Sequence, residues 1–209
     1  MTDDKPAAPE RRLTKGGEDR RRVLRSIVVG GAVVGASLVG REVVKILKPF
    51  RCQIQLYDPY ISAHDARELG VTCLPLDTLL ATSDVVTLHA PANPDCHWLL
   101  NQNNLPLLPD GALLVNTARG MLIEEAALIR ELRTGRIFAC LDVTDPEPPA
   151  PDHPFRTLEN VVLTPHYASW CDQTFAVLRR RVGEAALTIA RGGVPEFVAN
   201  PEVLPHRRK

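Results

Sequence analysis

The chain has 209 residues, of which 44% are hydrophobic and 24% charged, so it can form one core, or one core with an appendage, but not two full α/β domains. Its 25 basic and 25 acidic side chains give a formal net charge of zero, which supplies no overall field for attracting nucleic acid or an anionic membrane. Five cysteines without CxxC spacing predict neither a disulfide framework nor a metal site, and they favour a reducing, cytoplasmic setting.

The start of the chain allows two interpretations. Residues 1–25 are polar and lack apolar spacing, which predicts a disordered tail. The triplet Arg20-Arg21-Arg22, followed by the apolar run Ser26 to Gly40, is similar to a twin-arginine or other secretory signal. The alternative is a buried strand that turns into a helix. We favour the strand because glycines interrupt the run and a helical pattern continues beyond it. No stretch is long enough to span a bilayer as a helix, so we expect no membrane association.

From Ser26 onward, short apolar runs alternate with segments of helical period. The predicted strands cover residues 26–34, 53–57, 85–89, 112–116, 138–143 and 161–164. The predicted helices cover residues 38–48, 62–69, 76–82, 123–134 and 170–191. Because the strands are continuous apolar runs, we expect both of their faces to be buried in a parallel sheet with helices on each side. This alternation predicts a doubly wound α/β fold, a single Rossmann domain over 26–191.

The loop 144–158 differs from the other connections. It contains five prolines, which predicts that it forms no regular element. A long loop without secondary structure is uncommon inside a compact domain and is often functional.

A glycine motif, Gly35-Ala36-Ser37-Leu38-Val39-Gly40, follows the first predicted strand and opens a predicted helix. In a dinucleotide-binding turn, the first glycine makes the turn, the second admits the pyrophosphate and the third lets helix and strand pack closely. The helix N-terminus then offers N–H groups to the phosphates. Here Ser37 replaces the second glycine, so its Cβ narrows the approach while its hydroxyl can donate a hydrogen bond. Such glycines also serve ordinary strand-to-helix turns.

An acidic residue strengthens the dinucleotide interpretation. Asp58 ends the second predicted strand, where an acid that binds the ribose is expected. A carboxylate there accepts hydrogen bonds from a ribose diol and repels a 2′-phosphate, so NAD is favoured over NADP. The alternative is that Asp58-Pro59 simply begins a turn. The glycines upstream favour the cofactor role.

Three more polar side chains follow predicted strands. Arg119 comes after Asn116, Glu147 lies in the proline-rich loop, and His166 ends the segment Thr164-Pro165-His166. Ligands of open α/β sheets bind beyond the carboxyl ends of the strands, where an arginine can hold a carboxylate through a bidentate fork. Singly, each is more often structural, as a surface arginine at a helix start would be. Together they predict a carboxylate anchor, an orienting acid and a proton donor.

With these motifs in place, the sequence resembles the D-isomer-specific 2-hydroxyacid dehydrogenases, the family of phosphoglycerate dehydrogenase, hydroxypyruvate and glyoxylate reductases and D-lactate dehydrogenase. The resembling stretches are VGREVVKILKPF (39–50), YDPY (57–60), SDVVTLHAP (83–91), LVNTARGMLIEEAAL (114–128), LDVTDPEP (141–148) and NVVLTPH (160–166). Chains of that family begin with most of a substrate-binding domain. The resemblance implies that this part is missing here and that residues 192–209 are a remnant of the returning segment.

The resemblance implies an NAD-dependent oxidoreductase that interconverts a D-2-hydroxy acid and its 2-keto acid, as a homodimer. His166 would move the hydroxyl proton, Glu147 would hydrogen-bond His166, and Arg119 would hold the substrate carboxylate. The motif and the resemblance together give these cofactor-binding residues: Gly35, Ser37, Leu38, Val39, Gly40, Asp58, Pro91, Thr117, Ala118 and Asp142. The alternative is a truncated or non-catalytic NAD-binding module of the same family.

Overall fold

The computed structural model describes residues 30–198. The tail predicted over 1–25 therefore lies outside the described residues, as do the start of the first predicted strand and residues 199–209. The described residues fall into two compact units that divide between Pro165 and His166, and each is described by itself.

The first unit is built on one sheet of seven parallel strands in the order β3-β2-β1-β4-β5-β6-β7. These are β1 (Gly30–Val34), β2 (Gln53–Tyr57), β3 (Thr72–Cys73), β4 (Val85–Leu88), β5 (Leu113–Asn116), β6 (Phe138–Leu141) and β7 (Val161–Leu163). The order reverses at β1, as in a doubly wound Rossmann fold, so the predicted fold class is confirmed. β3 was not predicted from the sequence, because its two exposed residues make no apolar run.

All five predicted helices are present, with bounds within two residues of the prediction. They are α1 (Leu38–Leu47), α2 (Ala63–Leu69), α3 (Leu76–Ala81), α4 (Glu125–Arg133) and α5 (Asp172–Ala190). One expectation was wrong, because the loop 144–158 contains a short 3-10 turn at Pro154–Arg156. Proline fits the first position of such a turn, and the His153 side chain accepts the Phe155 N–H.

Two apolar clusters cover opposite faces of the sheet. The larger one packs α3 and α4 against the strands, and the smaller one packs α1 and α2 against β1 and β2. Every residue of β1 is buried, but β4, β5 and β6 alternate between buried and half-buried residues. The expectation that all strands are buried on both faces is therefore wrong, since α1 and α2 pack over only part of the second face.

The second unit consists of α5 and its flanking turns. Within it, Trp170 and Phe175 contact edge to face with ring centroids 5.5 Å apart, and the Arg181 guanidinium lies 5.7 Å from the centroid of the Phe197 ring. No residue of α5 is buried. Between residues 30 and 198, no helix has both the length and the apolar character needed to cross a membrane.

Candidate cofactor and substrate site

The turn between β1 and α1 is too tight for side chains at two positions. Gly35 has a φ of 99°, and a Cβ there would lie 2.5 Å from the backbone nitrogen of Ala90. A Cβ on Gly40 would overlap the Gly35 carbonyl oxygen and lie 3.3 Å from the His89 Cβ. Both positions therefore require glycine. The structure places the first and third glycines of the predicted motif where a dinucleotide-binding turn needs them.

The peptide of Ala36, inside this turn, is held from both sides. Its N–H donates to Asp58 Oδ2 at 2.6 Å, and its carbonyl accepts from Arg41 Nε at 3.1 Å. Arg41 also donates to Asp65 Oδ2 at 3.0 Å, and this hydrogen bond lowers the pKa of Asp65. Arg41 and Asp65 were not among the predicted site residues, because nothing in the glycine motif predicts a contact with them.

Asp58 accepts a second backbone hydrogen bond, from the N–H of Tyr60 to Oδ1 at 2.8 Å. The alternative interpretation, that Asp58-Pro59 begins a turn, is therefore correct as far as it goes. The same carboxylate also lies at the glycine turn, the position expected of an acid that binds the ribose. The two interpretations do not exclude each other.

The N-terminus of α1 is open to solvent at the residues expected beside the pyrophosphate. Leu38 is 77% exposed and Val39 is 60% exposed. Ser37 caps the helix, and its Oγ accepts the Gly40 N–H at 3.3 Å. A serine hydroxyl that accepts one hydrogen bond still has its own proton to donate. Ser37 thus combines a structural role with a donor at the helix N-terminus.

A buried histidine, His89, lies beneath the turn. It was not among the predicted site residues. His89 follows β4, and its Nε2 is 3.0 Å from the hydroxyl of Thr87. Burial lowers the pKa of His89, so the neutral imidazole is favoured. Pro91, which was predicted to contact the cofactor, is exposed two residues further on. The stretch SDVVTLHAP (83–91) includes His89, but only Pro91 was assigned a role.

The end of β5 is shaped by Asn116, which is buried. Its amide donates to the carbonyl of Arg119 at 2.9 Å and accepts the N–H of Ala118 at 3.0 Å. These bonds fix the loop that holds Thr117 and Arg119, both of which are exposed. Arg119 Nη1 donates to the carbonyl of Ala118 at 2.6 Å. Asn116 was not among the predicted site residues, although side-chain amides at strand ends commonly hydrogen-bond the backbone of the following loop.

Beyond β5, the chain packs directly on the segment that follows β6. A Cβ on Gly120 would overlap the Thr144 carbonyl group and lie 2.6 Å from the backbone nitrogen of Asp145. The Thr144 hydroxyl donates to the carbonyl of Pro146 at 2.9 Å, and the exposed Glu147 follows. The structure thus brings the segments of Arg119 and Glu147 together at the carboxyl ends of neighbouring strands.

The last two predicted site residues follow the ends of β6 and β7. Asp142, buried at the end of β6, accepts a 2.5 Å hydrogen bond from the hydroxyl of Thr164 to its Oδ1. His166 is the first residue of the second unit and has a φ of 52°, a conformation that is uncommon outside glycine. Among residues 30–198, no group of three or more His, Cys, Asp or Glu side chains is arranged to hold a metal ion.

The sheet order, the glycine turn and the acid at the end of β2 define a dinucleotide-binding Rossmann domain. The sequence profile described as D-isomer specific 2-hydroxyacid dehydrogenase, NAD binding domain, matches residues 16–168. The chain belongs to this family. Its predicted resemblance is therefore confirmed.

Individual relatives agree with the profile. The chain is 36% identical to D-3-phosphoglycerate dehydrogenase of Archaeoglobus fulgidus over 185 residues, covering 87% of this chain and 35% of that protein. It is 37% identical to glyoxylate reductase of Korarchaeum cryptofilum, covering 84% of this chain and 53% of that protein. The structure of a D-isomer specific 2-hydroxyacid dehydrogenase from Lactobacillus delbrueckii ssp. bulgaricus in its NAD-complexed form matches with a TM-score of 0.74 at 28% identity, covering 82% of this chain and 56% of that one. The chain therefore spans about one third to one half of the length of these relatives.

The residues present fit NAD, the cofactor of this domain family. Leu38 and Val39, at the start of α1, are exposed, and a helix N-terminus offers backbone N–H groups to phosphates. The α1 N-terminus is open, and the carboxylate of Asp58 lies beside it. The residues around this turn would hold the adenosine and pyrophosphate part of the dinucleotide.

Proposed function

We propose that this chain supplies the cofactor domain of an NAD-dependent oxidoreductase that interconverts a D-2-hydroxy acid and its 2-keto acid. The observation that carries the proposal is the packing of Gly120 on Thr144 and Asp145. This packing brings the segments of Arg119 and Glu147 together at the edge of the sheet where ligands of α/β domains bind, which supports Arg119 as the residue that binds the substrate carboxylate and Glu147 as the orienting acid.

In the direction of reduction, Arg119 binds the substrate carboxylate through its guanidinium fork and orients the carbonyl group at C2. His166 gives a proton to the carbonyl oxygen as that oxygen gains charge. Glu147 is assigned the role of the orienting acid. The hydride for C2 would come from the nicotinamide of NADH when the cofactor is bound. The positive φ of His166 supports its assignment, because strained backbone is often found at functional positions.

Four residues are proposed to orient the nicotinamide end of the cofactor. Thr117 and Ala118 would line the nicotinamide side, together with Pro91, which follows β4. Asp142 would accept hydrogen bonds from the nicotinamide ribose or the carboxamide. Its bond with Thr164 fixes the carboxylate, which supports a positional role over a solvated one. The Asp58 carboxylate would repel a 2′-phosphate, so NAD is preferred over NADP.

The proposal extends to the assembly and its setting. We propose a homodimer, which is supported by two large apolar side chains exposed at the end of α1 and just beyond it, Ile46 and Phe50, at 65% and 71%. Adjacent exposed apolar residues often mark an interface. All five cysteines are unpaired, as in proteins of the reducing cytosol. The substrate is a small 2-hydroxy or 2-keto acid.

The test is an NADH-oxidation assay with a panel of 2-keto acids, glyoxylate among them. It is run on this chain and on a longer version that includes any substrate domain encoded upstream. We expect His166→Ala to lower turnover by about 10²–10⁴-fold, the range for losing a general acid, while NADH affinity stays constant. Arg119→Ala should weaken keto-acid binding, and Arg119→Lys should restore it only in part. The matched control is His64→Ala, since the His64 side chain is 75% exposed on α2.

Two results would count against the proposal. If His166→Ala left turnover intact in an active protein, the acid assignment would be wrong. If every version bound NADH but reduced no 2-keto acid, the non-catalytic NAD-binding module would be the better description of the chain.

A further inference from the structure

A partly buried pair of an acid and an imidazole lies outside the residues assigned above. His153 Nε2 and Glu125 Oε1 are 3.0 Å apart, and the two side chains are 12% and 28% exposed. The other ring nitrogen of His153, Nδ1, accepts the N–H of Phe155 at 3.2 Å. An imidazole nitrogen that accepts a hydrogen bond carries no proton, so this network assigns the proton to Nε2, which donates it to Glu125.

The pair connects the two segments that the proposed mechanism depends on. Glu125 is the first residue of α4 and directly continues the segment of Arg119 and Gly120. His153 belongs to the proline-rich loop that contains Glu147. The contact of Gly120 with Thr144 already ties these segments together at the near end of the loop. The bond between Glu125 and His153 ties them a second time at the far end.

A series of contacts connects His153 with the backbone next to Glu147. The His153 ring packs at 4.7 Å from the ring of Phe155, which is buried in the main core. The next residue, Arg156, turns back and donates from Nε to the Ala150 carbonyl and from Nη2 to the Pro149 carbonyl, each at 2.9 Å. These carbonyls lie just after Glu147-Pro148. The chain of contacts therefore runs from α4 to the backbone beside Glu147.

The physical chemistry of the pair suits such a role. A hydrogen bond from an imidazole N–H to a carboxylate is charge-assisted and stronger than a neutral one. Water screens partly buried groups less than exposed ones. By contrast, the pair between Lys45 and Glu42 on α1 is 57% and 63% exposed and contributes little. Holding a long, proline-rich loop in one place matters because a misplacement of about 1 Å in an active site can cost about 10²-fold in rate.

We propose that Glu125 and His153 are positioning residues, which hold Glu147 in register with Arg119 for the reaction on the 2-keto acid. The catalytic consequence rests on the proposed function. The structural part, that the pair fixes the loop around Glu147, stands independently of it. Neither side chain is assigned to substrate or cofactor.

The experiment compares four variants of the protein. Glu125→Ala removes the acceptor, whereas Glu125→Gln retains an oxygen for the His153 N–H. His153→Asn keeps an acceptor for the Phe155 N–H, as asparagine does at helix N-termini, but does not reach Glu125. The matched control is Glu131→Gln, on the same helix, which weakens a different pair, with Arg136 at 2.8 Å. Three quantities are measured: hydrogen–deuterium exchange of peptides covering 144–158, NADH affinity, and kcat and KM for the best 2-keto acid.

We expect Glu125→Ala and His153→Asn to speed exchange over 144–158 and to lower kcat by about tenfold, less than the full misplacement penalty, with NADH affinity within twofold of the parent. Glu125→Gln should recover most of the loss, and Glu131→Gln should leave exchange in the loop and kcat unchanged. Combining Glu125→Ala with His153→Asn should add little to either single change, because both break one interaction.

The outcomes separate the two proposals. Unchanged exchange over 144–158 in Glu125→Ala and His153→Asn would overturn the positioning role, whether or not the protein turns over substrate. Faster exchange with unchanged kcat in an active protein would overturn it as well. A parent protein that binds NADH but reduces no 2-keto acid would refute the dehydrogenase proposal alone, and the exchange comparison would still decide the role of the pair.

Discussion

Gly120→Ala is the sharpest test of how the site is assembled. The added methyl group would overlap the Thr144 carbonyl and lie 2.6 Å from the backbone nitrogen of Asp145, closer than side chains approach a backbone. The backbone of Gly120 is not in the left-handed region, so the alanine would be opposed by the clash and not by its own φ. Backbone atoms on the other side cannot rotate away as a side chain would. One of the two segments must therefore move.

Forcing one extra methyl group into a packed site typically costs about 1–3 kcal/mol. For a chain of this size, about 1 kcal/mol lowers the melting temperature by about 2–4 °C, so Gly120→Ala should melt about 2–12 °C below the parent. Movement of the Arg119 segment should also lower turnover. NADH affinity should change less, because the glycine turn at Gly35 is untouched.

The assay is thermal unfolding followed by circular dichroism, together with steady-state kinetics where the protein is active. The control is Gly183→Ala, inside α5, where an added Cβ meets nothing within 4 Å. That change should stabilise the helix by about 0.5–1 kcal/mol, the usual gain of alanine over glycine. Gly120→Ala is therefore expected to lower stability, whereas Gly183→Ala is expected to raise it. A Gly120→Ala protein as stable as the parent would refute the close packing of the two loops.

Three further predictions concern single side chains. Because Ser37 caps α1, Ser37→Ala should lower the free energy of unfolding by about 0.5–2 kcal/mol and Ser37→Gly by only a few tenths. Thermal unfolding measures both changes. Tighter NADH binding by Ser37→Gly would show that the Ser37 Cβ crowds the cofactor. Burial lowers the pKa of His89 below its usual 6.5, so on acidification the unfolded state takes up a proton before the folded state does, and stability should fall as pH drops below about 6.5. Urea titrations at several pH values should show a smaller loss of stability for His89→Gln. An unchanged dependence of stability on pH in this variant would contradict the prediction. The hydrogen bond with Thr174 lowers the pKa of the Cys171 thiol, whereas burial raises the pKa of Cys140. Cys171 should therefore react first with iodoacetamide, Thr174→Val should slow it, and mass mapping that finds Cys140 modified first would refute this order.

Much of the fold could be predicted because its signals are local. The strands of the first unit are short apolar runs, and the helices have a clear apolar period, so their order was sufficient to predict a doubly wound sheet. β3 was not predicted because a strand of two residues is too short to give a periodic signal. The 3-10 turn at Pro154–Arg156 was not predicted because proline was considered only as a residue that interrupts helices and strands, although it also fits the first position of a helical turn.

The site was only partly predictable, for a different reason. Gly35, Gly40 and Asp58 stand at fixed spacings that a sequence displays. The residues that hold them in place have no such spacing in the sequence. Arg41 contacts Ala36 across a turn, and His153 reaches Glu125 from a distant loop, so each depends on three-dimensional proximity that no local pattern contains. Residues that touch a ligand follow motifs, whereas residues that hold them in place follow the particular packing of the chain.

At Asp58, a structural role in a turn is compatible with the predicted contact to a ribose. Its sequence context allowed either a turn or a ribose contact, and the structure shows the turn, with Oδ1 accepting from Tyr60 and Oδ2 from Ala36. A carboxylate has about four acceptor positions, so two bonds to the backbone leave capacity for the two hydroxyls of a ribose. Because the backbone bonds orient the carboxylate before any ligand arrives, binding need not pay for that ordering. The turn is the means by which Asp58 can act as a rigid acceptor beside the glycine motif.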